Sequence, residues 1–455
     1  MITGAREKRG TGWWQPVATP GIRFPVAALS HPPARVVIDT DHGPLSFLAA
    51  TTESGSSGGA MRIAIVTETF LPKMDGIVRM LTEFLDHLGR RGHEAIICTP
   101  GEGQDRYGTF VVERYGGPRW HLYPGLTVAG PAPGLLPTLR RWQPEIIHLA
   151  GPAVLGAQAT LIGRALRRPL VAHYQTDLAT YAGCHGLGFL QPVAWQYLRT
   201  IHGMAERTYC PTPTIRRQLH GHDFQNLALC ARGVDTVGFH PQYRDTALRE
   251  RLLGRGVNPA TPIAAYVGRL SPEKNLAALL AFATARPDIP LLIIGDGPAR
   301  PQLAAALAGT RAHFTGELRG AALAAAYASA DFLVCTSLTE TFCQVVQEAM
   351  ASGLPTIGFR AGGVQDVILD GETGILCPPA DEHAWHQAID ILCDDPIRRQ
   401  HLARRAREVA EGRTWASVFE HLLGEYQEII AAHPVPQRRG RAIKAGRHAV
   451  LAERR

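Results

Sequence analysis

The sequence predicts an α/β protein built from two successive doubly wound domains, each with a parallel β-sheet covered by helices. Short apolar segments typical of buried strands alternate with amphipathic helical segments, and this alternation starts again after residues 239–241. A chain of 455 residues is also too long for one small core. Its 45% hydrophobic and 19% charged residues are typical of a globular protein.

The first series of elements begins at Met61. The segment MRIAIVT is apolar, which is typical of a strand buried on both faces, and the amphipathic segment 76–91 after it predicts a helix. Further strands are predicted in EAIICTP, EIIHLA, PLVAHY and RTYCPT. We therefore expect the first domain to span residues 61–240.

The second series consists of the apolar segments PIAAYVGRL, PLLIIGDG, AHFTG, DFLVCTS and LPTIGF. Segments rich in alanine and leucine, such as LRGAALAAAYASA, separate these strands and predict helices. This domain is expected to span residues 241–414. The segment 415–433 then carries a last amphipathic helix, predicted at about 415–431, in front of a basic tail.

The two ends of the chain differ from its body in composition. Residues 1–60 close on the linker-like TTESGSSGGA and predict a poorly ordered extension, either native or added by an upstream start. The net charge of +7 is concentrated in the tail 434–455, which holds seven Lys or Arg and one Glu. Because this tail has no interleaved aromatics, no nucleic-acid partner is expected. A solvated end and a patch for anionic lipid or an acidic partner are the two interpretations.

Targeting and redox features indicate the cytosol. The long uncharged run 120–139 contains four prolines that would break a lipid-exposed helix, so no transmembrane segment is predicted. The first twenty residues lack the continuous apolar stretch of a signal peptide. Eight scattered cysteines without a C-x-x-C pair favour reduced, buried thiols over disulfides or zinc.

Candidate functional residues lie in loops after strands, because open α/β sheets bind ligands at the carboxyl ends of their strands. After the first strand come Asp75 and Gly76, and a glycine there lets the backbone approach a phosphate or sugar, or serves only the turn. After PIAAYV, the cations Arg269 and Lys274 can converge on one pyrophosphate, or are solvated surface charges.

The strongest pattern is ETFCQVVQE, directly after DFLVCTSLT. With a helix starting near Phe342, Glu340 lies in the loop before it and Glu348 about two turns inside, so both can face one ligand. Carboxylates accept hydrogen bonds from sugar hydroxyls, and the N–H groups of Phe342, Cys343 and Gln344 suit phosphate oxygens. The alternative is a capping acid and a surface glutamate.

Three further turns are weaker signals. The turn 295–298 is interpreted as a plain tight turn rather than a ligand loop. The turns at 361–363 and 370–374 are predicted to lie at the same sheet edge as ETFCQVVQE.

Taken together, these segments resemble a known family. GRLSPEKN, ARGVDTVGFHP, the E-x7-E element, MASGLPTIGFRAGGVQDVI and DGETGIL are similar to those of retaining family 4 glycosyltransferases, the glycosyl transferases group 1. The opening MRIAIVTETFLPKMDGIVRM and the segment HYQTDLATYA look most like bacterial GDP-mannose-dependent α-mannosyltransferases and sulfolipid synthases. The resemblance covers residues 61–430. It implies the GT-B fold, in which two Rossmann-like domains face each other across a cleft.

The resemblance also implies roles for single residues. Arg269 and Lys274 would hold the donor diphosphate, Glu340 the hydroxyls of the donor sugar, and Glu348 the nucleotide ribose. Gly76 would approach the diphosphate and sugar, and the terminal helix would cross back to the first, acceptor-binding domain. Such enzymes need no bound metal, and residues 61–430 contain no Asp-x-Asp motif. No cofactor is expected besides the nucleotide-sugar substrate.

One position departs from the family pattern. Many relatives carry a histidine near the sugar where this sequence has Gln175. His173 lies two residues earlier and would share a strand face with Gln175, so a structural role and a base or sugar contact are both open for it. We expect His173, Gln175 and Asp177 on the acceptor side.

The predicted function is a retaining, metal-independent hexosyltransferase that moves mannose from GDP-mannose to a lipid-linked or glycan acceptor. The predicted location is the cytoplasm, including the inner face of the plasma membrane. UDP-sugars carrying glucose, N-acetylhexosamine or sulfoquinovose are the alternative donors. Two alternatives come from other classes. A GT-B sugar-nucleotide epimerase would not require both E-x7-E and the GR-x4-K loop. A non-catalytic sugar-nucleotide binding protein would be expected to have lost one of four charged residues, all of which are present here: Arg269, Lys274, Glu340 and Glu348.

Overall fold

The chain folds into two β-sheets that follow one another in sequence, each covered by helices. This computed structural model of the protein describes residues 59–116, 119–123, 126–175, 189 and 191–433. The predicted extension, apart from residues 59 and 60, and the basic tail 434–455 lie outside the described residues. None of the described helices combines the length and the apolar composition that crossing a bilayer requires.

The first half of the chain contains ten of the described strands: β1 (Arg62–Val66), β2 (Glu94–Pro100), β3 (Arg106–Tyr107), β4 (Phe110–Tyr115), β5 (Arg119–Tyr123), β6 (Leu126–Ala129), β7 (Ile146–Leu149), β8 (Leu170–His173), β9 (Arg207–Cys210) and β10 (Leu227–Leu229). Its described helices are α1 (Gly76–Arg90), α2 (Leu135–Trp142), α3 (Val154–Ala165), α4 (Gln191–His202) and α5 (Pro213–Gly221). Eight strands form one sheet in the order β10-β9-β8-β7-β1-β2-β4-β3, parallel except for β3, while β5 and β6 form a separate hairpin.

The second half forms a six-stranded parallel sheet: β11 (Ala264–Val267), β12 (Leu291–Ile294), β13 (Ala312–Gly316), β14 (Phe332–Cys335), β15 (Thr356–Phe359) and β16 (Gly374–Cys377). Its described helices are α6 (Thr246–Leu253), α7 (Leu276–Ala285), α8 (Arg300–Ala306), α9 (Gly320–Ser329), α10 (Gln344–Ala351), α11 (Val364–Val367), α12 (Glu382–Asp394), α13 (Pro396–Glu411) and α14 (Trp415–Ala432). The order β13-β12-β11-β14-β15-β16 reverses between β11 and β14, the point at which doubly wound sheets bind ligands.

Both faces of the central strands are buried, which explains the continuous apolar strands of the sequence. In β1, Ile63 and Ile65 belong to one hydrophobic cluster, while Ala64 and Val66 belong to the cluster on the opposite face. Alternate residues of a strand point to opposite faces, so helices on both sides demand apolar residues at every position.

The last described helix, α14, packs on the first sheet although it follows the second in sequence. Trp415, Phe419 and Tyr426 lie in the hydrophobic cluster of β1 and α1. The ring of Phe84 on α1 is 5.1 Å from that of Phe419 and 6.3 Å from that of Tyr426. This helix therefore ties the two halves of the molecule together.

Most predicted elements are present within a few residues of their expected ends, and α1 and α14 differ from the prediction by one residue each. The sequence does not predict β3, β4, β5, β6, β10 or β16. Three of these strands lack the continuous apolar run on which the prediction relies. β3 and β10 have only two and three residues, and β4 is the mixed segment FVVERY.

Two local predictions are corrected by the structure. The turn 370–374 precedes β16, whose Gly374 pairs with Thr356 at the start of β15, so it lies at the sheet edge opposite ETFCQVVQE. Helix α10 begins at Gln344 instead of near Phe342, because Cys343 has a φ of 80° and is left-handed. Glu348 consequently lies about one turn inside the helix instead of two.

Candidate active site

A cavity of about 570 Å³, the site cavity, lies between the two domains where the carboxyl ends of both sheets meet. Loops after β1, β8 and β10 line it from the first domain, and loops after β11 and β14 line it from the second. The predicted site residues that line it are Asp75, Gly76, Gln175, Arg269, Lys274, Glu340, Phe342, Cys343 and Gln344. The fold thus brings predicted site residues of the first domain and of the second domain together at one cavity.

Lys274 and Glu340 form an ion pair in the site cavity, in which Lys274 Nζ donates to Glu340 Oε1. Burial would raise the pKa of Glu340, but the charge and hydrogen bond of Lys274 and a hydrogen bond from Ser337 hold it below its ordinary value. Burial would lower the pKa of Lys274, yet the facing carboxylate raises it. Both groups are therefore charged at neutral pH, and both reach the surface of the cavity.

Arg269 is the exposed cation of the same loop, and glycines shape its backbone. A Cβ on Gly295 would lie 2.0 Å from the carbonyl oxygen of Gly268, and one on Gly297 would lie 2.3 Å from that of Leu270. The turn 295–298 therefore packs directly beneath the loop that carries Arg269. Its role in the structure is support, in agreement with its interpretation as a tight turn.

The amino end of α10 also faces the site cavity. The left-handed Cys343 precedes the helix, and Cys343, Gln344 and Val345 line the cavity at the helix end whose first N–H groups have no partner within the helix. A Cβ on Gly363 would lie only 2.3 Å from the carbonyl oxygen of Thr341, which explains the glycine at the end of the turn 361–363. Backbone N–H groups and the helix dipole make this end of α10 suitable for an anion.

Glu348 lies behind the site cavity and does not line it. Its carboxylate is buried, accepting hydrogen bonds from Arg79 of α1 and, at 3.0 Å, from the hydroxyl of Tyr327. Burial raises its pKa, and both partners oppose that rise. A ribose could reach this acid only if Arg79 gave up its contact, so the predicted ribose contact stays a prediction.

The first domain contributes Asp75, Gly76 and Gln175 to the site cavity. Asp75 is the N-cap of α1, where its Oδ1 accepts hydrogen bonds of 3.0 Å from the amides of Ile77 and Val78. The Gln175 side chain donates to the carbonyl oxygen of Ala150 at 3.3 Å. Asp75 thus positions Gly76 at the first turn of the helix, as the sequence suggests.

His173 is part of the protein interior. It is the last residue of β8, its ring centroid is 4.6 Å from that of His148 and 4.9 Å from that of Tyr209, and burial lowers its pKa well below the ordinary value. It lines a small pocket of about 20 Å³ beneath Gln175 instead of the site cavity. Asp177 lies outside the described residues.

The sequence reasoning missed Arg232, which also lines the site cavity. Its segment, ARGVDTVGFHP, carries the family resemblance, but β10 before it has only three residues, so the sequence does not mark Arg232 as lying in a loop after a strand. If the segment 227–229 is recognised as a strand, Arg232 becomes a candidate in the same way as Arg269, because both lie in loops that follow strands.

Comparison with known proteins supports the same conclusion for fold and family. The family model of the glycosyl transferases group 1 matches residues 254–409, and that of Glycosyltransferase Family 4 matches residues 74–238. The solved structure of sucrose-phosphate synthase from Thermosynechococcus elongatus superposes with a TM-score of 0.65 at 20% identity, covering 82% of this chain and 100% of that one. The two domains therefore have the GT-B arrangement.

Two relatives extend over most of the chain. The GDP-mannose-dependent alpha-mannosyltransferase of Mycolicibacterium smegmatis is 40% identical over 380 residues, which are 81% of this chain and 98% of the relative. The sulfoquinovosyl transferase SQD2 of Arabidopsis thaliana is 32% identical over 80% of this chain and 73% of its own. These similarities and the two matching family models show that this chain belongs to glycosyltransferase family 4, the glycosyl transferases group 1.

Proposed function

We propose that this glycosyltransferase transfers mannose from GDP-mannose, with retention at the anomeric carbon, to a lipid or glycan acceptor. The observation that carries the proposal is the convergence of Arg269, Lys274, Glu340 and the amino end of α10 on one cavity, opposite Gly76. Two cations and free N–H groups suit a diphosphate, and the carboxylate suits sugar hydroxyls. The name of the Mycolicibacterium smegmatis relative supports GDP-mannose as the donor.

In the proposed reaction, the bond between the anomeric carbon and the β-phosphate oxygen breaks while the acceptor oxygen bonds to the same face of the sugar. The acceptor proton passes to the departing diphosphate. Charge builds up on that diphosphate, and Arg269, Lys274 and the dipole of α10, which share the lining of one cavity, stabilise it in the proposed mechanism. Glu340 orients the sugar. Glu348 binds the ribose once Arg79 has given up its hydrogen bond to that carboxylate.

We propose that these cations do the work that a divalent metal does in other glycosyltransferases. Within the described residues, no group of three His, Cys, Asp or Glu is placed to hold a metal ion. Because the proposal assigns the charge stabilisation to Arg269 and Lys274, activity should persist in EDTA. Complete loss with EDTA, restored by Mg²⁺ or Mn²⁺, would contradict this part of the proposal.

The experiment that tests the donor is hydrolysis of a panel of GDP- and UDP-sugars by purified protein without added acceptor. Release of GDP from GDP-mannose, above the rate with any UDP-sugar, is the expected result. The name of the relative SQD2 makes sulfoquinovose the second candidate sugar. Faster turnover of a UDP-sugar than of GDP-mannose would replace GDP-mannose as the proposed donor. Hydrolysis of no donor, together with no binding of GDP or UDP, would contradict the proposed function.

We further propose that the acceptor lies at an anionic membrane, on the cytoplasmic face. Supporting features on the first domain are the exposed Arg140 and Arg141 on α2, the exposed Arg164 on α3, and the exposed apolar side chains of Val193 and Leu161. Each cation close to an anionic leaflet contributes about 1 kcal/mol. The tail 434–455 would add to this attraction.

Sedimentation with anionic liposomes at low salt tests the membrane proposal. Deletion of residues 434–455 should lower the bound fraction without changing donor hydrolysis, and replacement of Arg140 and Arg141 by Gln should lower it further. Salt should weaken binding, since the attraction is electrostatic. Intact protein that stays in the supernatant would contradict a membrane acceptor.

A further inference from the structure

Arg232 is held in place by contacts with both domains. Its carbonyl oxygen accepts a hydrogen bond of 2.6 Å from Gln347 of α10. The next residue, Gly233, lies so close to the start of α14 that a Cβ on it would be 2.4 Å from the Cα of Trp415. The backbone that carries Arg232 is thus fixed by α10 and α14, and its side chain enters the site cavity from the first domain.

The guanidinium of Arg232 has one hydrogen-bond partner among the described side chains. Its Nη2 donates to Gln175 Oε1 at 3.1 Å, and its Nη1 would lie 3.1 Å from a Cβ on Gly76. The described residues give it no ion pair, although Glu340 and Asp75 are near enough that their charges act on its pKa, which burial lowers. A half-buried guanidinium with spare N–H donors is costly unless an anion uses them.

The charges of the site cavity indicate which anion fits. Lys274 is paired with Glu340, and Asp75 is engaged by the amides of α1, so Arg232 and Arg269 are its two cations without an ion pair among the described residues. They approach from opposite domains. The diphosphate of a nucleotide sugar carries two negative charges, which these two cations can match.

We propose that Arg232 is a diphosphate ligand contributed by the first domain, binding the β-phosphate of the donor and of the leaving nucleoside diphosphate. Together with Arg269 from the second domain it clamps this group from both sides. The proposal rests on the proposed function, since it requires a nucleoside diphosphate donor. Through this contact, the first domain also binds the diphosphate directly.

Gln175 then has a definite task as a positioning residue. Its amide oxygen accepts from Arg232 and its amide nitrogen donates to the Ala150 carbonyl, so both ends of the side chain are used. A neutral amide orients the guanidinium without neutralising it. A carboxylate in the same place would pair with Arg232 and compete with the phosphate.

The test compares two ligands that differ only in the β-phosphate. Calorimetry measures the Kd of GDP and of GMP for wild type, Arg232→Gln and Gln175→Glu, with UDP and UMP as the second pair. Loss of a charged hydrogen bond should weaken GDP binding by about ten-fold or more in both variants, while GMP binding changes by less than about two-fold. Arg217→Gln, which removes an exposed cation of the same domain outside the site cavity, should bind both nucleotides like wild type.

The outcomes separate the inference from the proposed function. Equal weakening of GDP and GMP by Arg232→Gln would show a structural role and overturn the inference, as would unchanged GDP binding. If that variant fails to fold, Gln175→Glu, which keeps the arginine, decides by the same comparison. A wild-type protein that binds neither GDP nor UDP would overturn the proposed function, and the inference with it.

Discussion

The protein interiors beneath the two halves of the site differ in their buried side chains. In the first domain, the rings of His148 and His173 pack against each other in the sheet core at an interplanar angle of 33°, and all four of the buried histidines among the described residues lie in this domain. In the second domain, the core beneath the site consists mainly of aliphatic and aromatic side chains such as Phe282 and Phe332, and none of its described histidines is buried. The first domain therefore carries buried imidazoles below its ligand loops, whereas the buried carboxylate of the second domain, Glu348, is paired with Arg79.

This difference has consequences for what each domain contributes. The second domain holds Arg269, Lys274 and Glu340 in the loops after β11 and β14, so its part of the cavity lining depends on loop residues. The first domain presents Gln175 and Arg232 above a polar aromatic interior that α14 completes from outside. Its stability should depend on pH and on a helix that comes from the other end of the chain.

The largest expected effect concerns α14. Phe419→Ala should lower the free energy of unfolding by about 3–5 kcal/mol, since a fully buried phenyl ring is removed. Hydrogen exchange should rise in β1 and α1 of the first domain, whereas Phe282→Ala, the matched change in the second core, should raise it around α7. Equal exchange patterns in the two variants would contradict the assignment of α14 to the first domain.

A smaller effect is expected on catalysis from the second domain. Lys274→Ala should lower turnover about 100-fold, because loss of one charge-stabilising donor costs about 3 kcal/mol in the transition state. Steady-state hydrolysis of GDP-mannose measures this effect. A melting temperature within a few degrees of wild type would rule out unfolding as the cause, and a near-normal rate would refute the diphosphate role.

Glu340 and Glu348 sharpen the comparison further. Glu340 is paired with Lys274 of its own domain, whereas Glu348 is paired with Arg79 of the first domain. Glu348→Ala should weaken GDP binding about ten-fold, since the ribose loses its acceptor. Glu340→Ala frees Lys274 and should leave GDP binding unchanged or tighter, while turnover falls. Calorimetry with GDP on both variants separates these roles, and equal loss of affinity would argue against the division.

The last expected effect is the pH dependence of stability. His148 has no hydrogen-bond partner among the described residues, and burial lowers its pKa to about 3. Between pH 6.5 and 3 the unfolded chain binds a proton there that the folded chain does not, so stability is lost as the pH falls through this window. His148→Phe should reduce that loss by about 1 kcal/mol per pH unit.

Urea unfolding of wild type and His148→Phe at pH 6 and pH 4.5 measures the difference. His386→Phe, a matched change at an exposed position of the second domain, should leave the slope as it is. An unchanged slope in His148→Phe would show that this buried imidazole does not set the acid sensitivity of the first domain.

Much of the fold and half of the site follow from local sequence. The strands β1, β11, β12 and β14 are short apolar runs, and Arg269, Lys274 and Glu340 come directly after two of them. Such features are visible because strand, loop and charge are adjacent in the chain. Short strands such as β10 carry no comparable pattern, so the sequence does not mark the loop after it as a ligand loop.

The sequence by itself determined the two doubly wound domains and the charged loops of the second, since burial on both sheet faces and ligand binding at strand ends leave their mark within a few residues. The tertiary structure alone decided that Glu348 pairs with Arg79, 269 residues away, and that Gln347 holds the carbonyl of Arg232 across 115 residues. Contacts over such distances depend on how two complete domains pack, and no local pattern encodes that packing.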